Sequence, residues 1–451
     1  MRFLVQATVD NARLGLIEGV ERLPHFRLES PNVFFYTKGG AVPYLSVDIF
    51  QQITKNDTVL NFPVPGMTHF LERMQRFNGN IAQFIGMPKN LTFSSIIDPG
   101  STRIPGYHTK GHVPIWSRSG KENISCKMYM DLMEAFEPDI FHTLCDSDTV
   151  VDSSNKRNVK SLERTLEFFE KCLELHKNSE KLKNSKVIGS LVGGYCKEAR
   201  EKCSAAVGAA PIFGVSVDAL HDFSDQVPLI DTDQIKLAVE MSLKHIPPDK
   251  LRMCPGSWNP NVILDLISMG IDIFDTTYPC ILAENGGAFT FINNEIILQD
   301  GGEINSEKCN GDEINHCQDN SVKKNSDMEP VNKKFKPSNP ESEIYISLKD
   351  TVYFDKFEPI SKHCNCITCR NHTKAYIHHL LNVKELLGPT LLTIHNLHHY
   401  VKFFETIRKS LKEDKFEILR NSFKKRYHGN SDQQTDGYKE RVVQNGLEKI
   451  N

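Results

Sequence analysis

Apolar residues run along the first two-thirds of this chain in short, nearly unbroken stretches. NVFFYT (32–37), LTFSSII (91–97), DIFHTL (139–144), KVIGSLV (186–192), IFGVSV (212–217) and IDIFDT (271–276) are rich in Val, Ile and Phe. Such runs, with little polar alternation, predict strands buried on both faces, as in a parallel sheet. Between them the period changes. In SLERTLEFFEKCLELHKNSEKL (161–182), Leu162, Leu166, Phe169, Cys172 and Leu173 recur at three- and four-residue spacing, which predicts a helix with one apolar stripe. DTDQIKLAVEMSLKHI (231–246) opens on capping residues and keeps the helical period. Strand–helix alternation of this extent predicts an α/β fold around a parallel sheet. The pattern alone fits both an eight-fold barrel and an open sheet.

The alternation stops near residue 298. Residues 299–341 are polar, rich in Asn, Ser, Glu and Lys and nearly free of large apolar side chains. A stretch of that composition buries too little surface to offset its ordering entropy, and it predicts a disordered insertion. Cys309 and Cys317, with His316 between them, fall inside it. A compact block follows over 342–428, with a strand candidate at EIYISLKD and a helix from about Thr390 to Lys412. Residues 429–451 read as a flexible tail. The expected organisation is therefore a barrel or sheet domain over 1–298, the insertion, a second block over 342–428, and the tail.

Composition narrows the partners. With 451 residues, 39% hydrophobic, 25% charged and a formal net charge of −3, the chain is an ordinary globular protein and no polycation. Any nucleic-acid contact must come from a local basic patch. The stretch FKKRYHG (423–429) is one candidate for touching phosphates, and a solvated helix end is the plainer reading. No apolar run is long enough to span a bilayer, and the N-terminus lacks the features of a secretory signal. The expectation is a cytoplasmic protein without integral membrane association.

Three of the 12 cysteines crowd together in HCNCITCRNH as C-x-C-x2-C: Cys364, Cys366 and Cys369. That spacing lets one turn present several thiolates to a tetrahedral ion, and in a reducing compartment it points to metal before disulfide. A closed structural site needs a fourth ligand. His363, His372, His378, His379, His395, His398 and His399 are all within reach along the chain, and spacing leaves the choice open.

The cysteine cluster is followed by KAYIHHLL (374–381) and HNL (395–397), with ARLG (12–15) and GIDIFDTTYP (270–279) upstream. This ordered set resembles the tRNA-guanine (queuine) transglycosylases, over most of the chain to about residue 428 apart from the insertion. The resemblance implies a (β/α)8 TIM-like barrel with a zinc-binding subdomain near the C-terminus. It implies one Zn2+ per chain, held by Cys364, Cys366, Cys369 and His395. It also places Asp275 at the position of the family's nucleophile, a carboxylate that attacks the ribose anomeric carbon while guanine leaves.

Around Asp275 the chain departs from the catalytic pattern. Catalytic members follow the nucleophile with an arginine-bearing turn, whereas PCILAENGG (279–287) contains no arginine. Where they carry an acid–base aspartate before a Ser-Gly-Gly turn, this chain has TFSSIID, with Ser94 in the aspartate's place. Val192 stands for the glutamine of the base pocket, and GVSVDALHDFS (214–224) lacks the glycine pair. Losing one such group costs roughly two to four powers of ten in rate, so losing several together leaves little turnover. The resemblance then implies a non-catalytic chain, Asp275 being a vestige, paired as a heterodimer with a catalytic queuine tRNA-ribosyltransferase subunit and acting on tRNA. The alternative is an active transglycosylase that uses Asp275. The family also allows peripheral association with the mitochondrial outer membrane.

Overall fold

The computed structural model describes residues 1–102, 104, 107–220, 232–291 and 344–428. The insertion and tail expected from composition, with Cys309, His316 and Cys317, lie outside the described residues.

Eight parallel strands close into a barrel in sequence order: β1 (Asn32–Tyr36), β2 (Val59–Pro63), β3 (Leu91–Ser95), β4 (Ile140–His142), β5 (Lys186–Leu191), β6 (Gly214–Val217), β7 (Leu251–Met253) and β8 (Ile273–Asp275). β8 pairs with β1 through Asp275 and Phe34, which completes the ring. Alternate residues of each strand enter different cores, and this is why the strands read as unbroken apolar runs. Phe34, Phe93, Ile140, Ile188, Leu251 and Ile273 fill the barrel interior. Val33, Phe35, Phe62 and Val215 face outward and pack under the helical layer.

Helices follow each strand, among them Cys126–Phe136 between β3 and β4, Asn155–Asn178 between β4 and β5, and Pro260–Ser268 between β7 and β8. Their starts are capped as the sequence directs. Ser154 accepts from Arg157 N, and Asn259 accepts from Asn261 N and Val262 N ahead of Pro260. The helix Thr277–Glu284 after β8 is short and almost wholly buried. The 26-residue helix Leu387–Lys412 covers it and also touches the helix Val47–Ile53 and β1. The block after residue 342 thus supplies the barrel's last outer helix as well as the cysteine cluster.

A three-stranded antiparallel sheet, Arg2–Val9, Ala12–Glu18 and Leu28–Ser30, covers the N-terminal end of the barrel. Phe3, Ile17 and Leu28 join the interior core. Here the ARLG stretch acquires a physical role. Arg13 forks onto both oxygens of Asp272, which just precedes β8, and its other N–H groups reach Pro248 O (2.7 Å) and Lys250 O (2.9 Å). Gly15 lies under Phe3, whose ring would sit 2.4 Å from any Cβ placed there. Arg13 is 4% exposed and Asp272 is fully buried. Arg13→Ala will strand a buried carboxylate, and we expect a loss of roughly 3–5 kcal/mol in urea unfolding.

Candidate metal centre and barrel mouth

The cysteine turn is built by local geometry. Cys366 has extended backbone and caps the one-turn helix Ile367–Asn371, its Sγ accepting from Cys369 N at 3.4 Å. One helical turn on, Cys369 comes to the same side, and Cys364 precedes the cap. Thr368 Oγ1 donates to Leu391 O (2.7 Å) and fixes the turn against the helix Leu387–Lys412. That helix presents His395, which is fully buried.

His395 Nδ1 lies 3.9, 3.6 and 3.3 Å from the sulfurs of Cys364, Cys366 and Cys369. Bond lengths of about 2.3 Å to sulfur and 2.0–2.1 Å to nitrogen around a tetrahedral zinc put ligating S and N about 3.6 Å apart. The observed spacings bracket that value. The other ring nitrogen also fits a ligand role. His395 Nε2–H donates to Phe289 O at 2.9 Å, which leaves the Nδ1 lone pair aimed at the sulfurs. Asn396 holds that carbonyl in place by accepting from Phe289 N (3.0 Å) and donating to Gly287 O (3.0 Å) and Pro279 O (3.3 Å). The His of HNL thus places a donor atom among the sulfurs, and the Asn braces its anchor.

Charge gives an independent test of fit. Hydrogen bonds from Cys364 and Cys369 hold the Cys366 thiol far below its ordinary range, while contact with Cys366 and Cys369 pushes Cys364 well up. Burial works to lower His395, but the bonds to Cys366 and Cys369 outweigh it and raise it to about 9. Three thiol groups and a ring nitrogen held within 4.8 Å of one another form a donor set that a divalent cation would satisfy by displacing their protons.

Of the seven histidines the spacing left open, only His395 among the described residues joins the cysteines. His372 stacks on Tyr376, His378 bonds Leu348 O and Asn382, and His399 lies beside the His395 ring. His398 lines an adjoining groove with Lys55, Arg370 and Lys402, which Cys366 also borders.

At the C-terminal mouth of the barrel, Asp275 ends β8 and is 2% exposed. Its Oδ2 accepts from Gly256 N (2.7 Å) and its Oδ1 from Thr277 N (2.8 Å). Burial pushes its carboxyl up to about 6, against the lowering effect of those N–H bonds. Both oxygens are therefore engaged in joining the loop after β7 to the start of the helix Thr277–Glu284. The arginine-free stretch forms the rest of that helix and the turn after it, with Pro279 to Ala283 buried. Ser94 donates to Phe62 O (3.2 Å), and Val192 is fully buried.

A second polar cluster, unmarked by any motif, gathers around Asp218. His142 Nε2 meets Asp218 Oδ2 at 2.8 Å, and Ser190 and Ser216 donate to the same carboxylate at 2.6 and 2.7 Å. Cys145 lies alongside. Two ligands of one tetrahedral ion stand about 3.3 Å apart, so the direct 2.8 Å contact fits a hydrogen bond better than a tetrahedral metal site. Next to it, Arg157 and Arg164 converge on buried Asp146. The residues are scattered over strand ends far apart in sequence, and no local motif marks them. In the basic stretch, Phe423 is buried and Lys424 pairs with Asp265 at 3.2 Å.

The family described as queuine tRNA-ribosyltransferase matches residues 9–429. The chain belongs to that family. It is 33% identical over 425 residues to the queuine tRNA-ribosyltransferase accessory subunit 2 of Anopheles gambiae, covering 93% of this chain and 89% of the relative. Proteins of the same name from Culex quinquefasciatus (32%, 92% of this chain and 89% of the relative) and Drosophila mojavensis (31%, 93% and 91%) are similar over comparable lengths. The closed parallel barrel and the Cys3His cluster are the architecture that the family resemblance implied. Among the described residues no helix is long and apolar enough to cross a membrane.

Proposed function

We propose that this chain is the non-catalytic subunit of a heterodimeric queuine tRNA-ribosyltransferase. In this reading it holds one zinc ion through Cys364, Cys366, Cys369 and His395 and docks on a catalytic paralogue. It helps present tRNAs with GUN anticodons, whose wobble guanine the paralogue exchanges for queuine. The observation that carries the reading is a contrast within one molecule. The four metal-ligating atoms are set for coordination, while both oxygens of Asp275 are spent on backbone N–H groups. Each oxygen keeps a further lone pair, but at 2% exposure little of Asp275 faces a ribose carbon. The zinc would supply structural cross-linking, since four protein donors leave no open position.

The names of the relatives support the accessory role. Three large apolar side chains on the block that carries the cysteines are candidates for docking: Phe354, Phe357 and Leu386 are 75%, 77% and 74% exposed. Co-purification with the catalytic paralogue, read by native mass spectrometry, tests the pairing. Phe357→Glu is expected to weaken the heterodimer at least tenfold, or about 1.4 kcal/mol, without lowering metal content. An unchanged dissociation constant for this variant and for Leu386→Glu would remove the surface from the interface.

A further inference from the structure

Two thiols that neither the metal centre nor the barrel mouth uses lie against each other in the helical layer. Cys126 opens the helix Cys126–Phe136, Cys172 sits in the helix Asn155–Asn178, and their sulfurs are 3.4 Å apart. A disulfide bond is about 2.05 Å long, so the sulfurs need to close by only about 1.4 Å to form one. The two positions are unequal. Cys172 is fully buried, whereas Cys126 keeps 7% of its surface and lies at the amide end of a helix capped by Ser125. Helix N-termini favour thiolate. A hydrogen bond from Cys172, with the nearby Lys171 charge, lowers the Cys126 thiol despite burial, while Cys172 is raised. Cys145 and Cys203 carry no such asymmetry, both being raised by burial.

We propose that Cys126 and Cys172 form a dithiol that hydroperoxides oxidise, Cys126 reacting first and Cys172 resolving it. The Cys126 thiolate attacks the distal oxygen of the hydroperoxide, the O–O bond breaks, and the alcohol (water, for hydrogen peroxide) leaves with a proton. The sulfenic acid on Cys126 is then attacked by the Cys172 sulfur. An S–S bond forms, the S–O bond breaks, and water leaves with the Cys172 proton. Two electrons pass from the sulfurs to the peroxide, and a thiol reductant reverses the change. The bond would close a loop with 46 positions between its ends, containing β4, Cys145 and Asp146, and would tie together the helices on either side of β4.

The test uses the full-length, metal-loaded protein treated with hydrogen peroxide, then alkylated and digested with trypsin without reduction. The expected product is ENISCK (122–127) joined to CLELHK (172–177), at a mass about 2 Da below the sum of the free peptides and lost on reduction. Cys172→Ser should leave a dimedone-reactive sulfenic acid on Cys126, and Cys126→Ser should leave Cys172 unoxidised. Mapping by peptide keeps oxidation of the metal-cluster sulfurs separate. If both peptides stay fully alkylated when Cys196 is already oxidised, the proposal fails. Sulfinic acid on Cys126 without the cross-link also overturns it. Wild-type mapping decides the matter even where a variant does not fold.

Discussion

Serine in place of Cys366 will leave the purified protein with well under one metal ion per chain and a much lower thermal midpoint. The proposed site has four donors, and the oxygen of serine is a poor substitute for thiolate on zinc. Because an apo site of this kind retains unpaired buried polar groups, metal binding energy is in effect folding energy. We expect a loss of several kcal/mol, on the order of 5 °C or more in Tm. His395→Ala should do at least as much, since it also leaves the Phe289 carbonyl without its donor. His372→Ala should change neither quantity, because that ring lies on Tyr376. Elemental analysis beside a thermal melt, repeated after chelator treatment of the parent, gives the comparison. Full metal content in Cys366→Ser would end the assignment.

The second large effect is in activity. Alone, this chain should not exchange labelled guanine into tRNA, and mixing with the catalytic paralogue should restore exchange by several orders of magnitude. Asp275→Asn in this chain should leave turnover of the mixture within about twofold and appear instead as lost stability, about 1–3 kcal/mol, because its carboxylate secures two backbone N–H groups. The sign of the pH dependence follows from burial. A carboxyl raised to about 6 is protonated more readily in the folded chain than in the unfolded one. It therefore favours folding most in acid, and that contribution fades as pH climbs from the ordinary carboxylate range through about 6. Asparagine removes the term, so the variant's deficit against the parent should be larger at pH 5 than at pH 7.5. Exchange by the isolated chain, abolished in Asp275→Asn, would instead establish an active transglycosylase.

How much of this was legible beforehand depends on how local each feature is. Six of the eight barrel strands stand out as apolar runs, because residues such as Val33, Phe34 and Phe35 are buried on alternating sides. β2 and β7 do not. VLNFP places Asn61 and Pro63 in a strand of five, and LRM is only three residues long with Arg252 at its centre. The three cysteines were plain because one turn assembles them. His395 required the family resemblance, since its approach depends on how a 26-residue helix docks. The Asp218 network was invisible, because His142 and Ser190 reach it from strands 76 and 28 positions away.

The helix Leu387–Lys412 gives the chain an order of assembly. Arg408 donates to Pro31 O across 377 positions, and Lys412 pairs with Glu29 just before β1. A ribosome releases the strands long before it releases the helix that seals β1 and β8, and contacts at such sequence separation form slowly. The cysteines also emerge ahead of His395, so a nascent chain would meet metal with three ligands and an open flank. A chain stopped anywhere before residue 387 should therefore be a client of chaperones rather than a smaller barrel.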